Sequence, residues 1–159
     1  IQALVDKSML PNPKRLTVGT DAQRLTMLLA ILHRHVTLST YDQDVFLNAV
    51  GGIKINETAS DLAVLIAIVS SMTNQAVSSK TAIFGEVGLG GEIRPVSRGQ
   101  ERIKEASKLG FKRIIVPLKN KASDIPDVEI IGVDNLRDAV KVVFGSNRVK
   151  NDEQIYPDE

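Results

Sequence analysis

Four glycines within residues 85–91 constrain the fold more than any other feature of the chain. Glycine adopts positive φ and lets backbones approach closely, as a tight reversal between two strands or a packed sheet edge requires. A short apolar run at residues 82–84 lies before the glycines and residues 92–96 follow them, and each segment is predicted to be a strand. The stretch therefore predicts a β-hairpin.

A helix and a buried strand are predicted directly after this hairpin. The helix spans residues 98–109, and Gly110 stands where a helix C-terminus needs a left-handed residue. Its inward face on a helical wheel contains Ile103, Ala106 and Leu109. The apolar run at 113–117 then predicts a buried strand.

The rest of the chain mixes strands and helices. Strands are predicted at residues 1–5, 16–18, 45–50 and 128–133. Thr20 begins a capping-box pattern before an amphipathic helix, and Asp134 is the predicted cap of the last helix. The helix predicted from Thr58 to Thr73 is apolar all round its core, which is typical of a central buried helix. This order predicts an α+β (α/β-like) domain at residues 1–145, with helices packed on a mixed sheet, and a flexible polar tail at 146–159.

The hairpin and the elements after it resemble the Lon-protease-like domain. That family has a Gly-Glu-(apolar)-x-Leu-x-Gly-x-(apolar)-x-Pro-(apolar) hairpin, then a helix and an apolar strand that ends in Pro. The matching residues are Gly85, Glu86, Val87, Leu89, Gly91, Ile93, Pro95 and Val96, followed by Lys104, Ala106, Gly110 and Ile114 to Pro117. The resemblance covers roughly residues 1–145 and implies a Lon proteolytic-domain-like fold.

The same resemblance implies that the catalytic dyad of the family is lost. Lon-type peptidases use a serine at a helix start and a lysine whose pKa is lowered by an apolar pocket. Matched to the family, Ala59 occupies the position of the serine and Gln100 that of the lysine. Alanine offers no nucleophile, and glutamine cannot accept a proton from a hydroxyl near neutral pH. We therefore expect no catalytic residue here.

A Ser-Lys peptidase with an altered dyad is the alternative. Ser60 lies next to the vacated position, and Lys54 or Lys104 would have to serve as its base. Against this, a serine that precedes Asp61 and an apolar helix is usually a helix cap.

Composition excludes several other classes of site. The chain has no cysteine, so it holds no disulfide, Cys-based zinc site or thiol nucleophile. It has no phosphate-binding loop, no dinucleotide fingerprint and no His, Asp or Glu cluster at metal-ligand spacing. No apolar run reaches the length of a membrane span, and no signal peptide is visible. We expect a cytoplasmic bacterial protein without membrane contact, and, because Ile1 already lies in a strand-like run, a piece of a longer chain.

Local charge gives the main functional lead. The net charge is only +1, but residues 94–121 contain nine Lys or Arg against two Glu. Such an excess is typical of a surface that contacts nucleic-acid phosphates, although a solvated helix face is the competing interpretation. With 4% aromatic residues and no Trp, contact with the DNA backbone is favoured over base stacking. The candidate DNA-binding residues are Lys54, Arg94, Arg98, Arg102, Lys104, Lys108 and Lys112.

Within the Lon-like group, the chain resembles the C-terminal domain of the bacterial RadA/Sms family of DNA-repair proteins. The resemblance implies that a zinc-binding module and a RecA-like ATPase lie N-terminal to this domain in the full protein. ATP, Mg and Zn are then expected in that part, and no cofactor here. It also implies a hexameric ring that drives branch migration, with DNA, further copies of itself and a RecA-type recombinase as partners.

Overall fold

Two three-stranded sheets, a short hairpin and four helices make up residues 1–145, the part of the chain that the computed structural model describes. The predicted tail at 146–159 lies outside the described residues. The mixture of α and β elements is confirmed, although the strands form three separate sheets rather than the single mixed sheet that was predicted.

The first sheet has the order β1-β3-β2. Its strands are β1 (Gln2–Lys7), β2 (Arg15–Val18) and β3 (Gln43–Asn48). β1 is antiparallel to β3, whereas β2 is parallel to it. Side chains alternate between the two faces, so Val5, Val45 and Leu47 are buried while Leu4 and Leu16 point to the opposite side.

The second sheet is fully parallel, in the order β4-β7-β8. Its strands are β4 (Thr81–Ile83), β7 (Arg113–Pro117) and β8 (Glu129–Val133). β7 lies in the centre, and its Ile114, Ile115 and Val116 are fully buried. A near-continuous apolar run is what a strand covered on both faces requires.

The glycine-rich stretch forms a hairpin, but its first arm is not the predicted one. The arms are β5 (Glu86–Val87) and β6 (Ile93–Arg94), two residues each. The run at 82–84 was predicted to be an arm, which is wrong, because Thr81–Ile83 pairs with β7 instead. Gly91 has φ of +78°, and a Cβ added there would lie 2.8 Å from the ring of His35, so both backbone and space require glycine.

Four helices pack around these strands. They are α1 (Ala22–Val36), α2 (Asp61–Thr73), α3 (Gly99–Lys108) and α4 (Leu136–Phe144). A 3-10 turn, Thr58–Ser60, leads directly into α2. α2 is the central helix: it packs against β1, α1, α4 and the hairpin strand β5, which explains why its sequence is apolar all round.

Three local predictions are wrong. Asp21, not Thr20, caps α1, because its carboxylate accepts hydrogen bonds from the backbone N–H groups of Gln23 and Arg24. Asn135, not Asp134, caps α4 through the N–H of Asp138. Leu109 was placed on the inward face of α3 but is 69% exposed, since the helix ends at Lys108 and Leu109 is its C-terminal cap residue.

Among the helices of residues 1–145, none combines the length and the apolar character needed to cross a bilayer.

Candidate functional site at helices α2 and α3

The two positions that the resemblance matches to the Lon-type dyad both make structural contacts. Ala59 is buried in the 3-10 turn before α2, and its carbonyl accepts a hydrogen bond of 2.8 Å from the N–H of Gly85. Gln100 lies in the first turn of α3, and its Nε2 donates to the carbonyl of Asn120 over 2.8 Å. Each residue therefore ties a helix start to a neighbouring loop.

An ion pair joins these two helix starts. Nη2 of Arg102, on α3, lies 2.6 Å from Oε2 of Glu57, just before the 3-10 turn. Nε of Arg102 also donates to the carbonyl of Ser97 over 3.0 Å. Arg102 was predicted to contact DNA, but its guanidinium is already engaged by a carboxylate and a carbonyl.

Within residues 1–145, no lysine lines the cleft beside Ser60. Its Oγ donates to the carbonyl of Glu57 over 2.8 Å. The small cleft next to it, about 100 Å³, is lined by residues from α1, α2 and the loop between β3 and the 3-10 turn, and Arg24 is the only basic one. Neither Lys54 nor Lys104 lines that cleft.

Arg24 is paired with a buried carboxylate. Asp61 is 2% exposed and accepts hydrogen bonds from Nε of Arg24 (3.0 Å), from Nη2 of Arg24 and from the N–H of Val87 (3.0 Å). The hydrogen bond to Asp61 raises the pKa of Arg24; burial opposes the rise, and the charge of Asp61 adds to it. A guanidinium held in this way stays protonated and cannot act as the base of a peptidase.

The candidate basic residues fall into two groups along α3. At its N-terminal end lie Arg94, Arg98 and Arg102. Nε and Nη1 of Arg94 are 3.9 Å from carboxylate oxygens of Glu86 and Glu92, so weak ion pairs partly offset its charge. Arg98 is exposed and adopts a left-handed φ of +59° as the residue before the helix.

At the C-terminal end of α3 the basic residues are lysines. Lys104 and Lys108 are exposed and share a face of the helix, and Lys112 is exposed just before β7. Within residues 1–145, no carboxylate lies within 4.0 Å of these three ammonium groups. Their positive charge is therefore available to a ligand.

Lys80 belongs with these lysines, although its position outside residues 94–121 kept it out of the predicted set. Its carbonyl accepts hydrogen bonds from the N–H groups of Lys112 (2.8 Å) and Arg113 (3.2 Å), which brings Lys80 and Lys112 side by side. If the strands at 82–84 and 113–117 had been predicted to pair in parallel, Lys80 would have been expected beside Lys112, because the residues that precede two parallel strands lie at the same edge of the sheet. We call Lys80, Lys104, Lys108 and Lys112 the lysine cluster.

Lys54 lies elsewhere. It is exposed in the loop after β3, and that loop is held to the end of β2 by a hydrogen bond of 2.8 Å from the N–H of Ile55 to the carbonyl of Gly19. Lys54 therefore lies on the side of the first sheet, whereas Lys80 and Lys112 lie just before two paired strands of the second.

Among residues 1–145, no group of three or more His, Cys, Asp or Glu side chains is arranged to hold a metal ion.

The model of the family described as "Subunit ChlI of Mg-chelatase" matches residues 26–120, more than half of the chain. The chain belongs to this family. The chain is also similar to the DNA repair protein RadA of Pseudomonas aeruginosa, with 56% identity over 145 residues, which are 91% of this chain and 32% of that protein.

Two further RadA proteins are similar to the same extent. The DNA repair protein RadA of Haemophilus influenzae is 56% identical over 90% of this chain, and that of Escherichia coli is 54% identical over 89% of it; the match covers 31% of each relative. The predicted similarity to RadA is confirmed. The chain spans about a third of the length of these curated relatives.

Proposed function

We propose that this chain is a non-catalytic Lon-like domain of a RadA-type DNA-repair protein, and that its lysine cluster contacts the DNA backbone. The observation that carries the proposal is the contrast between the two ends of α3. Carboxylates engage Arg102 and partly offset Arg94, whereas the lysines at the other end have no such partner within residues 1–145. The names of the RadA relatives supply the functional context.

Backbone contact without sequence reading is the mode that these side chains favour. A lysine ammonium is a flexible point charge that binds a phosphate without fixed geometry. Lysines that neutralise phosphates release counterions, so affinity falls steeply with salt. Each phosphate contact on duplex DNA contributes about 0.9 to the slope of log affinity against log salt.

The test is fluorescence anisotropy with a labelled duplex DNA at several salt concentrations. In Lys108→Gln/Lys112→Gln we expect weaker binding and a slope reduced by up to about 1.8, the value for two lost phosphate contacts. Lys7→Gln/Lys14→Gln removes the same charge from exposed positions at the first sheet and is the matched control. An equal loss of affinity and slope in both double variants would contradict a local contact.

We also infer that the domain does not act as a peptidase. Support comes from Ala59 and Gln100 at the matched dyad positions, and from Ser60, whose hydroxyl donates to a backbone carbonyl beside a cleft without lysine. Casein digestion should proceed at the same background rate for the chain and for Ser60→Ala. Casein digestion by the chain that Ser60→Ala abolishes would instead support a Ser-Lys peptidase with an altered dyad.

The remaining part of the proposal concerns the whole protein. We propose that the domain is a scaffold for a hexameric ring, that ATP, Mg and Zn bind in the part of the protein outside this chain, and that the ATP-driven motor acts in branch migration with a RecA-type recombinase. The native mass of the chain by light scattering, with and without duplex DNA, tests the scaffold role. A monomer under both conditions would place self-association outside this domain.

A further inference from the structure

The ion pair between Glu57 and Arg102 is open to solvent on both sides. The side chain of Glu57 is 68% exposed and that of Arg102 is 31% exposed. The bond joins Nη2 of Arg102 to Oε2 of Glu57, and within residues 1–145 no atom accepts a hydrogen bond from Nη1. An exposed pair typically contributes no more than about fivefold to an equilibrium constant, so another anion can compete with Glu57 for the guanidinium.

Other contacts hold both residues of this pair in place. Nε of Arg102 donates to the carbonyl of Ser97 over 3.0 Å, which fixes the direction of the guanidinium. The carbonyl of Glu57 accepts hydrogen bonds from the N–H (3.2 Å) and from Oγ (2.8 Å) of Ser60, so backbone contacts hold the turn before α2. Removal of the Glu57 charge should therefore free the guanidinium of Arg102 without moving it.

A second arginine accompanies Arg102 at the start of α3. Arg98 lies one helical turn earlier and is exposed, and within residues 1–145 no carboxylate lies within 4.0 Å of its guanidinium. α3 has ten residues and is therefore about 15 Å long, the axial length of about four base pairs of DNA. A duplex bound at the lysine cluster is long enough to reach these arginines as well.

We propose that Glu57 competes with DNA phosphates for Arg102 and so confines the DNA contact to the lysine end of α3. Carboxylate and phosphate oxygens are both strong acceptors for the planar donor fork of an arginine, so each can replace the other on Arg102. Glu57 is then an intramolecular inhibitor, and neutralising its charge extends the contact by one phosphate. This role rests on the proposed DNA contact.

The test compares Glu57→Gln with the unsubstituted chain by fluorescence anisotropy, with a labelled duplex DNA at several salt concentrations. We expect binding to be tighter by up to about fivefold, and the slope of log affinity against log salt to be steeper by about 0.9, the value for one added phosphate contact. Glu101→Gln is the matched control, because it removes the same charge from an exposed position of α3 that has no ion pair within residues 1–145. When Glu57→Gln is added to Arg102→Gln, it should increase the affinity no more than Glu101→Gln does.

Two results would overturn the competition by Glu57: equal affinities of Glu57→Gln and the unsubstituted chain, or a gain of the same size with and without Arg102. Lys108→Gln/Lys112→Gln keeps this proposal apart from the proposed function. If that double variant weakens binding while Glu57→Gln leaves it unchanged, the DNA contact stands and the competition is refuted. If neither the unsubstituted chain nor Glu57→Gln binds the duplex, both proposals are refuted.

Discussion

Asp61→Asn is expected to destabilise the domain strongly. The substitution keeps the shape of the side chain but removes the charge that faces Arg24, and an amide cannot accept all three hydrogen bonds that the carboxylate now accepts. Removing one partner of a buried ion pair costs about 3–5 kcal/mol. Because the Arg24 side chain is still 27% exposed, water partly compensates it, and we expect a loss near the lower limit, about 3 kcal/mol.

Urea unfolding followed by circular dichroism measures this loss. A slope of about 2 kcal/mol per molar urea converts the expected loss into a midpoint lower by about 1.5 M. Glu129→Gln is the matched control: it makes the same charge change in the exposed pair with Arg113, whose N–O distance is 3.4 Å, and should cost less than about 1 kcal/mol.

A double variant distinguishes the loss of the ion pair from the cost of leaving the Arg24 charge without a partner. Arg24→Met/Asp61→Asn removes both charges and should be more stable than Asp61→Asn alone, since no unpaired guanidinium remains. The reasoning is refuted if Asp61→Asn shifts the midpoint no more than Glu129→Gln does.

Two further predictions concern the first sheet and the hairpin. The pKa of Asp44 is lowered, chiefly by the hydrogen bond of 2.6 Å from the backbone N–H of Lys14. The ionised carboxylate therefore stabilises the fold at pH values above its unfolded pKa, which is near 4, and this stabilisation is lost as the pH falls through the lower pKa of the folded state. Asp44→Asn should therefore flatten the acid limb of stability against pH in urea titrations; an unchanged limb would contradict this. Gly91→Ala should lower the urea midpoint more than Gly51→Ala, because both glycines have positive φ but only at Gly91 would the new Cβ meet a neighbour, the ring of His35; equal midpoints would contradict it.

Sequence patterns predicted the elements that carry a strong local signal. The strand at 113–117 was predicted with its observed bounds, since a continuous run of β-branched apolar residues before Pro117 allows little else. α2 was predicted as a buried helix because its apolar residues cover every face. Both elements are recognisable without knowledge of their neighbours.

Pairing between strands was not predictable in the same way. Strands of two residues, such as Glu86–Val87, are too short to show periodicity, so the run at 82–84 was taken as the hairpin arm. The position of Lys80 beside Lys112 depends on the same pairing. The engagement of Arg102 by Glu57 could not be predicted either, because the two residues are 45 positions apart in the chain.

The central position of α2 has a consequence for how the chain acquires its structure. The first sheet and α1 come from the first half of the chain, whereas β8 and α4 come from the second, and one continuous apolar core includes residues of all four. The two three-stranded sheets share no ladder of hydrogen bonds. The shared apolar core, in which both α1 and α2 pack against α4, therefore holds the halves together, so the nascent chain cannot complete its core until synthesis has passed residue 144.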